Sequence, residues 1–224
     1  MSTAPDVLSY LTHSRDRVLF SQTPMLMMPS YGTLPPLALG RRRYIAAADG
    51  IYLQARQRAL DVTLRLACVD LPFGPLREHV ELSRGLIPRA LYEEMAAHAL
   101  AQAPKEWAGL VHWDDLERRY VLTLPAVVDV SNARIRYRSD AIDHERLVLD
   151  IHSHGHLPAF FSSVDDKSDE CGIHFASVLG NCQSAQTMVA ITRLVVDGQF
   201  FDLDWHPWEE PSSTYAAVAA QGQR

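Results

Sequence analysis

The sequence predicts an α+β layer fold. Two observations carry this: one segment of helical periodicity lies near the middle of the chain, and short apolar runs bounded by turn residues lie on both sides of it. Residues 1–36 combine a short helical pattern (Val7, Leu8, Leu11) with Pro24-Met25-Leu26-Met27-Met28-Pro29 and Pro35-Pro36, which reads as an irregular leader whose methionines either fill core gaps, the commoner use, or form a soft binding surface. Tyr44-Ile45-Ala46 and Ile51-Tyr52-Leu53 flank Asp49-Gly50, a dipeptide suited to the positive φ angles of a tight hairpin turn. Leu60, Val62, Leu64 and Leu66 then alternate with Asp61, Thr63 and Arg65, the period of a strand with one buried face. Residues 1–85 therefore predict a small antiparallel β-rich unit, closed by Pro72-Phe73-Gly74-Pro75.

A second unit, residues 86–208, opens at Ile87-Pro88, where proline suits the first turn of a helix. Leu91, Met95 and Ala99 repeat at helical spacing, so the helix should run to about Gln102. After Pro104 come apolar runs at Trp107 to Val111, Tyr120 to Val130, Leu147 to Ile151, Ile173 to Leu179, Met188 to Val196 and Phe200 to Leu203. Asp197-Gly198 marks a hairpin between the last two. Residues 209–224, small and polar, predict a flexible tail.

Composition narrows the function classes. The chain of 224 residues is 47% apolar and 21% charged, which excludes large-scale disorder. A net charge of −6 argues against a nucleic-acid surface, and the one basic run, Arg41-Arg42-Arg43, lacks interleaved aromatics and reads as a solvated strand end. Cys68, Cys171 and Cys182 are odd in number without C-x-x-C spacing, so reduced thiols are the simple reading. Neither a secretory leader nor an apolar run of membrane-spanning length is visible, so a cytoplasmic location with no membrane partner is expected.

The chemistry is concentrated in Asp150-Ile151-His152-Ser153-His154-Gly155-His156, continued to Ser162-Ser163-Val164-Asp165. Side chains two apart in a strand share a face, so His152 and His154 can aim at one point. Asp165, returned by the intervening loop, can complete a three-ligand zinc site with a fourth position for water. At this chain's composition, H-x-H-x7-S-x2-D arises by chance in on the order of two chains per thousand of this length, so the joint pattern outweighs any lone histidine. His156 would point to the opposite face if the strand continued. Asp166 and Asp169 could support the ligating histidines or be plain solvated acids.

This pattern resembles the JAMM motif of the MPN-plus zinc metalloproteases, which cleave peptide or isopeptide bonds beside ubiquitin or ubiquitin-like proteins. The resemblance implies a mixed β-sheet with flanking helices, one Zn2+ per chain held by His152, His154 and Asp165, and water activated by the metal. The family also places a glutamate after the first helix in a context like E-x-x-G-[LIV], and Glu106-Trp107-Ala108-Gly109-Leu110 fits in order and position. It implies Glu106 as general base and Ser162 as the donor that steadies the oxyanion; Ser162-x-x-Asp165 also reads as a helix capping box. Where the family often has proline after the second histidine, this chain has Gly155. The run HSHGHLPAFFSSVDD, the strand Gly172-Ile173-His174-Phe175 and the β-rich leader are similar to the PRTRC system protein A family. That similarity implies partners in a ubiquitin-like protein or its conjugates and an adenylating-enzyme homologue.

Other readings are weaker. Cys171, His174 and Cys182 lack the spacing of a common structural zinc site, and no cysteine is marked as an activated nucleophile. The H-x-E and P-C-x-x-C signatures of zinc deaminases are absent. The serious rival is a catalytically silent MPN-fold scaffold that binds partner proteins. Such scaffolds usually lack a ligand.

Overall fold

The computed structural model describes residues 10–131, 135–138 and 145–209. Val7 and Leu8 of the leader pattern, and the tail beyond Glu209, lie outside the described residues. The chain divides into two compact units, one comprising the chain up to Arg56 with Asp61–Val80, the other Gln57–Leu60 with everything from Glu81 onward. The fold is α+β. No described helix is long and apolar enough to cross a membrane.

The first unit holds helix α1 (Ser14–Gln22), strands β1 (Met25–Met27), β2 (Arg41–Ala47) and β3 (Gly50–Arg56), all but the first residue of β4 (Leu60–Ala67) and the first half of β5 (His79–Leu82), with the sheet ordered as numbered. The expected hairpin forms, but its turn differs. Ala47 pairs with Gly50, so the two turn residues are Ala48 and Asp49 rather than Asp49 and Gly50. Gly50 serves space instead of positive φ, because a Cβ there would overlap the Ala67 carbonyl oxygen. Asp49 ties the turn down, accepting from the Tyr52 hydroxyl and the Arg65 guanidinium at 2.8 Å each. In β4 the alternation holds only in part: Leu60, Val62 and Leu64 are buried, but Thr63 is fully buried as well and Leu66 is only half-buried. Part of the leader expected to be irregular instead forms β1, which runs parallel to β2 and departs from an all-antiparallel sheet.

In the second unit, helix α2 (Arg89–Gln102) begins after Pro88 and buries Met95, Ala96 and Ala99. Then come β6 (Ala108–Asp114), β7 (Arg119–Thr123), β8 (Ala126–Val130), β9 (Ile135–Arg138), β10 (Leu147–Ser153), helix α3 (Ser163–Ser168), β11 (Ile173–Gly180), β12 (Val189–Val196) and β13 (Gln199–Leu203). Six of these strands make a mixed sheet ordered β13-β12-β11-β10-β6-β7. The run expected over Tyr120 to Val130 is two strands, because Pro125 has no N–H for the ladder, and β8 pairs instead with β9 as a separate hairpin. Asp197 and Gly198 take φ of 49° and 75°, the left-handed pair that closes β12 onto β13.

One feature of this sheet places the site. β10 and β11 are parallel, which forces a crossover between them. That crossover, residues 154–172, carries α3 and returns its side chains over the C-terminal end of β10.

Candidate metal centre

Strand β10 ends at Ser153, so His152 stands on it and His154 just beyond, its amide still donating to the Leu179 carbonyl at 2.8 Å. The two side chains remain on one face. Their Nε2 atoms lie 3.2 Å apart, and His152 Nε2 lies 3.3 Å from Asp165 Oδ1. Among the described residues these three form the group able to hold a metal ion, with ligand atoms all within 4.8 Å of one another. Tetrahedral zinc with bonds of about 2.0–2.1 Å would set its donors roughly 3.3–3.4 Å apart, so the donor set fits zinc in kind and the two distances from His152 Nε2 match that spacing.

Supporting contacts select the same atoms. His154 Nδ1 faces the Pro158 carbonyl at 3.3 Å, which assigns the proton to Nδ1 and leaves the Nε2 lone pair free. The ring also packs edge-on against Phe160, with centroids 4.5 Å apart. Burial pushes His152 down to about 4, against the opposing pull of Asp165, so its imidazole is neutral near pH 7. Asp165 is the third residue of α3. Its Oδ2 accepts from the Ser162 amide at 2.6 Å, while Ser162 Oγ accepts from the Val164 and Asp165 amides at 3.2 and 3.3 Å, a complete capping box that leaves Oδ1 for the histidines.

Glu106 precedes β6. Leu110 pairs with Asp150 and Ala108 with His152, so the register, continued by two, brings Glu106 opposite His154. Its side chain is 6% exposed and lines a cavity of about 450 Å³ together with His152, His154, Ser162 and Asp165. Burial first, then the Asp165 carboxylate, raise its pKa to about 7, with a hydrogen bond from the Ile135 amide acting the other way. The three candidate ligands, Glu106 and Ser162 therefore line one cavity.

Three residues escaped sequence reasoning. Asp150, two before His152, shares its strand face and accepts the Tyr137 hydroxyl at 2.8 and 2.9 Å. Burial and the neighbouring Asp169 push Asp150 up to about 6, opposed by His174 and Tyr137. The i, i+2 spacing of Asp150 and His152 was the available signal for one; β9, which carries Tyr137, is too short to announce itself. Arg193 is the third. Asp166 and Asp169 do not touch the ligating histidines but pair with Arg193, and Asp169 also faces His174. His156 is exposed, and Cys182 is buried against the Leu179 carbonyl.

Residues 88–194 match the family model described as prokaryotic homologs of the JAB domain. The match supports the JAB/MPN family for this segment, which contains every residue of the centre. Residues 13–83 match a domain of unknown function, DUF2016. No curated protein matches. The solution structure of protein DSY2949 from Desulfitobacterium hafniense is similar at 18% identity and a TM-score of 0.40, over 52% of this chain and 88% of that one.

Two expected outcomes follow from the JAB-like segment. Gly155 has φ of 55°, and a Cβ there would overlap the Pro104 carbonyl oxygen, which accounts for the absence of proline after His154. Gly155→Ala should lower stability by at least about 1–3 kcal/mol in urea unfolding, and an unchanged midpoint would count against this backbone assignment.

The second concerns Glu106 in chelator-treated protein. A carboxyl whose folded pKa is raised leaves the native state holding more protons than the unfolded chain, so stability is lost as pH rises from about 4.5 to about 7. Glu106→Gln removes that loss. Between pH 5 and pH 8 the variant should gain on the order of 1–3 kcal/mol relative to wild type, and parallel pH profiles for the two proteins would refute the shift.

Proposed function

We propose that this protein is a zinc-dependent peptidase or isopeptidase acting on a ubiquitin-like protein or its conjugates. The observation that carries the reading is the convergence of His152, His154 and Asp165 beside a buried carboxyl, Glu106, held near neutrality in the same cavity. The substrate class comes from the resemblance of the HSHGHLPAFFSSVDD run to the PRTRC system protein A family, which also suggests an adenylating-enzyme homologue as a partner.

His152, His154 and Asp165 hold the zinc. Bound there, zinc supplies Lewis acidity, polarising a carbonyl and drawing the pKa of water toward ~7. Glu106 takes the proton of the attacking water and delivers it to the leaving amine, a role that needs a base poised near the working pH. The Ser162 hydroxyl accepts two amide hydrogen bonds through its lone pairs, which leaves its proton to donate to the oxyanion. Donors of that kind are typically worth roughly 2.7–4 kcal/mol in the barrier. The exposed apolar side chains of Leu157, Phe160 and Val164 line the same cavity and offer contact to the substrate chain.

The test is hydrolysis of a fusion to a ubiquitin-like protein, with chelator and after zinc is restored. Cleavage that stops with chelator and returns with zinc is expected. Zinc-loaded protein that cleaves no such fusion would favour the partner-binding scaffold.

A further inference from the structure

Helix α3 presents Asp165 yet buries none of its own residues, and a helix of six residues has no stability by itself. The capping box orients the Asp165 carboxylate within the helix but does not join the helix to the sheet. Apart from the contact between Asp165 and His152 itself, the shortest join to the sheet is made by Arg193 on β12. Its Nη1 donates to Asp166 Oδ1 at 2.6 Å and its Nη2 to Asp169 Oδ2 at 2.7 Å. The guanidinium carbon lies 4.0 Å from the Phe161 ring centroid and 3.9 Å from that of Phe200, so the cation is held between two aromatic faces. Arg193 is only 3% exposed, and Asp169, 5% exposed, turns its other oxygen to His174 Nε2 at 3.5 Å.

The grip brackets the centre. Asp166 follows Asp165 directly, Asp169 is the C-cap of α3, and Phe161 precedes Ser162. We infer that Arg193 is a positioning residue that locks α3 to β12 and so sets the place of the metal ligand Asp165 and of Ser162. This rests on the reading of His152, His154 and Asp165 as a metal centre. A guanidinium suits the task because its fixed fork can hold two carboxylates in defined directions while its plane stacks on aromatic rings, which a lysine ammonium cannot do.

The experiment compares wild type with Arg193→Met, Arg193→Lys and Asp166→Asn. Zinc affinity is measured by competition with a chromophoric chelator, at a temperature where circular dichroism shows each protein folded. The visible spectrum of the cobalt-loaded protein reports the ligand geometry. Loss of outer partners of metal ligands typically weakens affinity by about 10–100-fold, so Arg193→Met should fall near the upper end and Asp166→Asn near the lower. Arg193→Lys should fall between them. A merely structural arginine would lower the melting temperature while leaving zinc affinity and the cobalt spectrum of the folded protein unchanged, and that result overturns the proposal. Should Arg193→Met fail to fold, Asp166→Asn decides, because the Asp166 side chain is 47% exposed and its loss strands no fully buried acid. Wild type that takes up no zinc would overturn the metal-centre reading itself. Wild type that binds zinc beside unchanged variants would overturn only the role of Arg193.

Discussion

Glu106→Gln should cut turnover by about 10²–10⁴-fold while leaving zinc content and substrate affinity nearly unchanged. Glutamine keeps the size of the side chain and can still accept the Ile135 amide, but it cannot take a proton at neutral pH. Glu106 stands outside the His152, His154, Asp165 donor group, so nothing in the change removes a ligand. The variant should bind substrate and fail to release it as product, which makes it a substrate trap. Acid inactivation of the wild type should follow protonation of the same group. Its pKa of about 7 in the metal-free protein is set by burial and Asp165, and a bound cation would lower it, so the acid limb should lie below pH 7. A variant that cleaves at the wild-type rate would make Glu106 a structural residue and move the search to another base, such as the nearby, exposed Glu145.

His154→Ala should produce a different defect, in which zinc and activity disappear together. Alanine removes the Nε2 donor and also the Nδ1 contact to Pro158 and the ring packed on Phe160, so the loop that leads to α3 loses its anchor at the same time. Two donors that remain, one nitrogen and one oxygen, make a poor site for zinc at the usual free concentrations. The pair of variants therefore separates holding the metal from moving the proton. If His154→Ala retained zinc and lost only activity, His154 would be acting on the substrate and the donor set would need another member.

Much of the fold could be read from local rules. Proline at 88 with Leu91, Met95 and Ala99 announced α2, and Asp197-Gly198 announced the turn into β13, because each signal depends on a few neighbouring residues. Departures came where the deciding contact is distant. Gly50 looked like a turn residue, but its small size answers the carbonyl of Ala67 on a neighbouring strand. Pro125 splits a single apolar run, since the missing N–H matters only once a ladder exists for it to interrupt.

The candidate site divides along the same line. His152, His154, Ser162 and Asp165 are legible because a strand and a capping box fix spacing within one stretch of chain. Glu106 was reached through the resemblance, and its proximity depends on the register of β6 against β10. Arg193 could not be found, because a lone arginine in a strand gives no sign that two carboxylates of a helix, nearly thirty residues earlier for one of them, will close on it from across the sheet.

Whether His152, His154 and Asp165 hold a zinc ion is decided by the zinc content of the purified protein, measured by elemental analysis before and after dialysis against excess zinc. About one zinc per chain is expected in the wild type, removable by chelator, and lost in both His152→Ala and His154→Ala. Wild-type protein that holds no zinc after loading, or both histidine variants keeping full occupancy, would contradict that ligand set.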